Sequence, residues 1–235
     1  MTESYDTAKQ LIDRFGLNWL VTHQIPESTV LNMFLRDRNP SPEALTILAT
    51  YKDVNIRKSV AHHKNTSSET LAILANDEDK RIRRIVAHRA ATPEESLMAL
   101  AQDDDDSVLT GVAGNPSTPT RALASLALDD SVSTRVAVAA NSNVPERTLE
   151  LLAHDKEDAV RAGVAQSPIT PPELLATLAS DSSPVVRFRV INNPNLPLES
   201  LTTLTADTND RVRAKAAESL AKREQLDQSD VGLDV

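Results

Sequence analysis

Residues 145–165 of this chain read PERTLELLAHDKEDAVRAGVA, and the same order of residue types returns 26 residues further on, from Pro171. Written in steps of 26, most of the chain falls into columns of this kind. One of the leucine columns comprises Leu45, Leu71, Leu97, Leu123, Leu149, Leu175 and Leu201. A fixed period of this length is typical of solenoids, because one such repeat is too short to bury its apolar side without neighbours. The sequence therefore predicts a stack of about seven repeats.

Each repeat contains the signals for two short helices. Leucines three residues apart, such as Leu71 and Leu74, lie on one face of a first helix, helix A. The dipeptide Thr92-Pro93 before that helix predicts Thr as its N-cap and Pro as its first residue. A second column of capping residue types predicts the start of helix B. Its members are Asp53, Asp79, Asp105, Ser131, Glu157, Ser183 and Asn209. The pattern predicts an all-α solenoid of 14 short helices with no β-sheet.

The composition excludes several classes of protein. Aromatic residues make up 3% of the 235 residues, so Leu, Val, Ile and Ala must supply most of the buried surface. The formal net charge of −9 disfavours non-specific binding to nucleic acid or anionic membranes. Because the chain has no Cys, disulfides, thiol catalysis and thiolate metal sites are absent. The first ten residues lack the apolar segment of a signal peptide, so we expect a cytoplasmic protein with no membrane insertion.

The motif Pro-x-x-x-Leu-x-x-Leu-Ala-x-Asp, followed by Val-Arg-x-x-Val-Ala, resembles the variant leucine-rich repeat family of bacteria. The fifth copy carries it in Pro145, Leu149, Leu152, Ala153, Asp155, Val160, Arg161, Val164 and Ala165. The resemblance covers residues 39–217 and implies a right-handed superhelix of α-helices paired with short α or 3₁₀ helices, similar in logic to HEAT repeats. The first-described family member looks like it holds an iron–sulfur cluster in a Cys-rich N-terminal segment. This chain has no Cys, so we expect no cofactor.

The segments outside the repeats predict three regions. Residues 1–38 carry the bulky side chains Leu11, Phe15, Trp19 and Leu20 and are expected to form an N-terminal helical cap. Residues 39–217 form the predicted solenoid. Residues 218–235 are expected to contain the end of the last helix and an acidic, flexible tail.

Two columns of opposite charge lie six residues apart, as in Asp155 and Arg161. The arginine column comprises Arg57, Arg83, Arg135, Arg161, Arg187 and Arg213, with Leu109 as its one break. These residues predict either an Asp–Arg ladder between adjacent turns or a row of arginines that binds phosphate or carboxylate ligands. Recurrence in nearly every copy favours the ladder. We expect Arg161 to be the partner of Asp155 within that ladder.

The outer face of helix B is not uniform. Residues 52–89 contain nine Lys or Arg against five Asp or Glu, a local surplus of cations in an acidic chain. Later copies carry apolar residues at equivalent positions. The candidate partner-binding residues are Lys58, His62, Arg81, Arg84, His88, Val136 and Phe188. Ordinary variation of a solvated face is the competing interpretation.

Catalytic and metal-binding motifs are not found. His62 and His63 are adjacent and therefore point apart on a helix, so we expect no metal site there. The acidic run Asp103–Asp106 lacks the glycine and terminal glutamate of a calcium loop. The chain also has no glycine-rich phosphate loop and no nucleophile elbow, and we expect that it is not an enzyme.

The leading function is a non-enzymatic scaffold that binds an acidic protein partner through the helix B surface. We expect a monomer, because a bulky N-terminal cap and a charged C-terminal helix would stop end-to-end stacking. The alternative is nucleic-acid or phospholigand binding by the basic surface of the first two repeats. That surface lacks the aromatic residues on which the bases of single strands stack.

Overall fold

The computed structural model describes residues 40–231, together with residues 29, 31, 32, 35 and 36, all five of which are helical. Most of the predicted N-terminal cap lies outside the described residues. Between residues 40 and 231 there are 14 α-helices and no β-strand. The helices form seven successive pairs, one for each copy of the repeat. The all-helical prediction is confirmed, including the number of helices.

The odd-numbered helices correspond to helix A and the even-numbered helices to helix B. They are α1 (Pro42–Leu48), α2 (Val54–His62), α3 (Ser68–Leu74), α4 (Lys80–Ala87), α5 (Glu94–Leu100), α6 (Asp106–Gly114), α7 (Thr120–Leu126), α8 (Val132–Ala140), α9 (Glu146–Leu152), α10 (Asp158–Gln166), α11 (Pro172–Leu178), α12 (Pro184–Val190), α13 (Leu198–Leu204) and α14 (Asp210–Val231). Helix α14 is much longer than the others and continues to Val231, while residues 232–235 lie outside the described residues.

The chain divides into two compact units, residues 1–119 with helices α1 to α6 and residues 120–235 with helices α7 to α14. Within each unit, successive even-numbered helices pack against one another, and each odd-numbered helix packs against the even-numbered helix of its own repeat. The core consists of columns that recur from repeat to repeat. One is a column of fully buried valines, Val60, Val86, Val112, Val138, Val164 and Val190. Each repeat thus contributes one thin apolar layer that its neighbours cover.

The threonines that precede helix A in successive repeats, such as Thr66 and Thr92, do not cap that helix as the sequence pattern predicts. Thr66 and Thr92 are buried, and their Oγ1 hydroxyls donate to the carbonyl oxygens of Val60 and Val86 at 2.5 and 2.7 Å. The N-cap is one residue later, at Ser67 or Pro93. The prediction that Thr92 is the N-cap and Pro93 the first helical residue is therefore wrong, and Thr66 likewise is not an N-cap. The threonine instead satisfies a carbonyl near the end of the preceding even-numbered helix, where carbonyls lack partners within the helix.

The N-caps predicted for helix B are confirmed. The Asp53 and Asp79 carboxylates accept the backbone N–H two residues ahead, both at 2.8 Å. Ser183 is the N-cap of α12, and Pro184 takes its first turn. The predicted residues therefore stand where the even-numbered helices begin, although Ser131, Glu157 and Ser183 make no side-chain capping hydrogen bond.

The arginine and aspartate columns form a ladder whose partners differ from the predicted ones. The Nε and Nη2 groups of Arg161 donate to the two carboxylate oxygens of Asp181, at 2.7 and 2.9 Å. Its Nη1 group donates to the backbone carbonyls of Asp155 and Lys156, at 2.8 and 3.2 Å. The Asp155 carboxylate pairs with Arg135 instead. The expected pairing of Arg161 with the Asp155 side chain is wrong, because the fork of guanidinium donors joins two consecutive repeats rather than closing one.

The same bidentate pairing of an arginine with an aspartate recurs in both units. The first unit contains Arg57–Asp77 and Arg83–Asp103, and the second contains Arg135–Asp155, Arg161–Asp181 and Arg187–Asp207. Each aspartate also accepts a backbone N–H in its own turn, as Asp181 does from Ser183 at 2.8 Å. Burial raises the pKa of Asp181, but the hydrogen bonds from Arg161 and Ser183 outweigh it and hold that pKa below its ordinary value. The ladder therefore occupies these guanidinium groups internally.

A second ladder, formed by asparagines, lies at the ends of the even-numbered helices. The Nδ2 group of Asn193 donates to the carbonyls of Ala165 and Ser167, at 2.9 and 2.8 Å. Asn115 makes the equivalent bonds in the first unit, to the carbonyls of Ala87 and Arg89. These amides join the end of one even-numbered helix to the end of the previous one.

Ser167 occupies the asparagine column with a shorter side chain. It is 3% exposed, and its Oγ has no hydrogen-bond partner among the described residues. A hydroxyl on a single carbon does not extend as far as an amide, so this repeat lacks the side-chain bridge that Asn193 provides. Ser167 is therefore a weak point of the asparagine ladder.

We expect Arg161→Ala to lower the free energy of unfolding by about 1–3 kcal/mol, because it leaves the 8%-exposed Asp181 carboxylate without its main donors. Chemical denaturation should measure this loss, with the exposed Arg147→Ala as the control. Since the folded-state pKa of Asp181 is lowered, its stabilisation is present above the unfolded pKa of about 3.9 and is lost as the pH falls through the folded pKa. The difference between variant and parent should therefore shrink in acid. Equal stability of variant and parent at neutral pH would contradict the ladder.

We expect Ser167→Asn to raise the free energy of unfolding by about 1 kcal/mol, the net value of a typical hydrogen bond. By analogy with Asn193, the new amide would donate to the carbonyls of Ala139 and Asn141. Thermal and chemical denaturation should measure the gain, with Ser142→Asn on the exposed loop as the control. A less stable Ser167→Asn protein would show that this layer has no room for the amide.

Candidate functional site

The first unit presents a basic face, which we define as Lys58 and His62 on α2 and Lys80, Arg81, Arg84 and His88 at α4. All six residues are exposed. They stand on the side of the even-numbered helices opposite the core columns of Ile56 and Ile82, which are fully buried. Helix periodicity produces this division, because positions four apart share one face. The structure therefore brings five of the predicted site residues onto two neighbouring helices.

Several cations of this region already have partners. Lys80 contacts the Asp105 carboxylate at 2.8 Å, and Arg81 contacts the carboxylate of its own N-cap, Asp79. Hydrogen bonding to Arg81 lowers the pKa of Asp79 to about 2. Arg89 donates to the carbonyls of Ala61 and His63. The local surplus of positive charge counted in the sequence is therefore partly cancelled on the surface.

Lys58 and Arg84 differ from the other cations on α2 and α4. Both are exposed, and neither has a carboxylate partner among the described residues. An unpaired, solvated cation keeps its full charge available to an approaching molecule. These two side chains therefore carry most of the attraction that the basic face offers.

His88 is held against the neighbouring helix. Its Nδ1 lies 2.9 Å from the Arg84 carbonyl oxygen, and because a carbonyl only accepts, Nδ1 carries the proton. A Cβ at Gly111 would lie 2.7 Å from two atoms of the His88 ring, so glycine at 111 admits the imidazole. The Nε2 atom is then left to hydrogen-bond with solvent or a partner.

The other histidine near this face has a structural role. His63 Nδ1 accepts the backbone N–H of Asn65 at 3.1 Å. Burial, together with the charges of Lys64 and Arg89, lowers the pKa of His63. A neutral imidazole suits that hydrogen bond. Within the described ranges, no group of three or more His, Asp or Glu side chains is placed to hold a metal ion.

Beside the basic face is a mixed-charge groove of about 590 Å³. It is lined by Lys80, Arg81, Arg84, Asp104, Asp105, Asp106 and Ser107. Three carboxylates thus share the groove with three cations. The aspartates come from the acidic run before and at the start of α6, which lies beside α4 in the stack. The groove therefore has no strong excess of positive charge.

The second unit holds the two remaining predicted residues, Val136 on α8 and Phe188 on α12. Both are half-buried, and Ala162, at the equivalent position of α10, is buried. Phe188 belongs to an apolar pocket of about 320 Å³ between α12 and α14. Its lining residues are Pro184, Val185, Phe188, Arg189, Asn209, Arg211 and Val212. The Arg211 guanidinium lies over the Phe188 ring, 6.0 Å from its centroid.

Sequence reasoning missed Val185, Arg189 and Arg211 in this pocket. A signal existed, because these residues occupy columns that change from copy to copy. Val185 stands where earlier repeats have Ser133 and Ala159. Residues in varying columns are not required by the stacking, so they are the ones available for a specific contact.

In the part of the chain between residues 40 and 231, no helix combines the length and apolar character needed to cross a membrane. The last helix, α14, is 22 residues long, but its sequence is rich in charged residues.

Comparison with known proteins supports the repeat assignment. The family model described as leucine-rich repeat variant matches residues 81–105, which include all but the first residue of α4 and the whole of α5. A solved structure described as a leucine-rich repeat variant with a novel repetitive protein structural motif is 28% identical in sequence. It matches 81% of this chain and 80% of its own, with a TM-score of 0.60. A designed armadillo repeat protein is 14% identical over 77% of this chain and 99% of its own, with a TM-score of 0.33. No curated protein is significantly similar to the chain.

The matched family segment contains one Arg of the ladder, Arg83, and its forward partner, Asp103. The same pairing recurs in other repeats of both units. The family model, the solved structure and the seven helix pairs agree that the chain is a helical repeat protein, and it is similar to the leucine-rich repeat variant family.

Proposed function

We propose that this repeat protein is a non-enzymatic scaffold whose first unit binds an acidic segment of a partner protein through the basic face. The observation that carries the proposal is that the recurring columns and the varying columns contain different kinds of residue. The residues that recur with the period form the core, the arginine ladder and the asparagine ladder. The cations that interrupt the period, Lys58 and Arg84, are exposed and lack a carboxylate partner among the described residues.

Charge complementarity supports an acidic protein as the partner. Exposed, unpaired cations steer molecules of opposite sign and exclude those of like sign. His62 and His88 lie on the same two helices and add polar contacts at the ends of α2 and α4. The proposed contact residues are therefore Lys58, His62, Arg84 and His88. Arg81 lies at the edge of this set, because its charge is paired with Asp79.

The groove between α4 and α6 argues against nucleic acid or a phospholigand. Asp104, Asp105 and Asp106 line it together with the cations, so a row of phosphates would meet carboxylates as well. A protein segment can place both acidic and basic side chains against such a groove. The mixture of charges favours a protein partner.

We expect the double reversal Lys58→Glu and Arg84→Glu to abolish partner binding at low salt while leaving the thermal stability unchanged. A photoreactive amino acid placed at position 62 should form a discrete adduct with an acidic protein in cells that express the chain. Mass spectrometry identifies the adduct, and the adduct should disappear in the double reversal. The same photoreactive residue at position 147, on the exposed side of α9, is the control and should form no such adduct.

Three outcomes would contradict this proposal. The adduct at position 62 could contain a basic protein or nucleic acid, it could survive the double reversal, or it could form only at position 147. The matched charge control is Arg147→Glu with Lys156→Glu, two exposed residues of the second unit. It changes the net charge by the same amount, and we expect it to leave the adduct at position 62 intact.

A further inference from the structure

We propose that the apolar pocket between α12 and α14 is a second docking site, which takes an apolar side chain from an acidic protein segment. The pocket belongs to the second unit, so the inference does not depend on the basic face of the first. In this site Phe188 is a contact residue, as predicted from the sequence, and Val185, Arg189 and Arg211 are further contact residues.

The pocket wall is apolar and open to solvent. Val185 is 50% exposed, so this apolar side chain is not part of the buried columns. Pro184, Phe188 and Val212 line the pocket with it. At about 320 Å³ the pocket is at the small end of the range for ligand sites, which suits a few side-chain atoms rather than a large cofactor.

Two guanidinium groups line the same pocket. Arg189 and Arg211 are exposed and have no carboxylate partner among the described residues. The neighbouring aspartates are already engaged, Asp207 by Arg187 and Asp210 by Arg213. An occupant with carboxylates beside its apolar group would therefore find two free cations and no competing anion from these turns.

The combination of an aromatic ring, arginines and a pocket is typical of the energetic centre of a protein interface. Arginine and aromatic residues are enriched among the residues that contribute most to binding, and they cluster where apolar groups fill pockets. Arg211 over the Phe188 ring is held near the pocket before any partner arrives. The apolar lining therefore selects a Leu-like or Phe-like side chain, and the arginines select acidic residues next to it.

A nucleic-acid base is the competing occupant, because bases also stack on aromatic rings. Single-strand sites use a row of aromatic side chains along a positive channel. This pocket has one ring, which Arg211 partly covers, in a chain of net charge −9. The observations favour a protein segment.

The test uses a fluorescein-labelled synthetic peptide in which two leucines are flanked on each side by two glutamates. Fluorescence anisotropy at low salt should show binding to the full chain. Val185→Glu, and separately Arg189→Glu with Arg211→Glu, should weaken that binding at least several-fold. The charge control Arg147→Glu with Lys156→Glu should bind as the parent does. Peptides with alanine for leucine, or lysine for glutamate, should bind much more weakly.

The first-unit variant Lys58→Glu with Arg84→Glu separates the two proposals. If the pocket is the site, that variant keeps its affinity for the leucine peptide, whatever the outcome of cross-linking at position 62. Thermal melts of each variant confirm that folding is intact, and Val185→Glu is the decisive change because its side chain lies at the surface.

Five results would overturn the inference. The peptide could fail to bind the parent, or Val185→Glu could leave its affinity unchanged. The charge control could weaken binding as much as the pocket variants do, which would indicate a non-specific charge effect. A labelled single-stranded DNA could instead bind with an affinity that depends on Val185, or the parent could self-associate in a way that Val185→Glu abolishes. Those last outcomes would assign the pocket to a base or to a second copy of the chain.

Discussion

The ion pair between an arginine of one even-numbered helix and the aspartate in the turn of the next repeat holds the stack together within each unit. It performs three tasks with two side chains. The Arg161 fork binds the Asp181 carboxylate, its third nitrogen binds two carbonyls of its own turn, and Asp181 accepts the backbone N–H of Ser183. Both charges are largely buried, so each depends on the other for its hydrogen bonds. Consecutive repeats therefore have one preferred register.

The ladders explain why the outer surface is free to vary. Stacking removes apolar surface, carbonyl groups and carboxylates from solvent. The core valines pack together, and the buried threonines, arginines and asparagines hydrogen-bond to the carbonyls and carboxylates. Nothing in that system requires a particular residue at positions 58, 84, 185 or 211. A repeat protein of this design can change its contact surface without loss of fold, which is a reason to look for function in the columns that break the period.

Charge counts along the sequence and charges on the surface are different quantities in this protein. Between residues 52 and 89 the sequence shows a clear surplus of cations, yet Arg57, Lys80, Arg81 and Arg83 are paired with carboxylates. Lys58 and Arg84 remain on the helices. In the second unit the reverse holds, because Arg189 and Arg211 stand unpaired in a region that the sequence marks as apolar. The density of charge in a segment therefore says less about a binding surface than the partners of each charge.

The sequence by itself determined the helical repeat, the number of helices, the starts of the even-numbered helices and the leucine and valine core. These follow from local rules, namely helix period, capping residues and a fixed repeat length. It did not determine that Arg161 pairs with Asp181, that Thr66 binds back to Val60, or that Asn193 bridges to the carbonyl of Ala165. Six residues separate Asp155 from Arg161 along the chain, and the pattern favoured that near pair. Only the tertiary structure decided the true partners, because stacking brings groups of neighbouring repeats closer together in space than groups that are nearer in sequence.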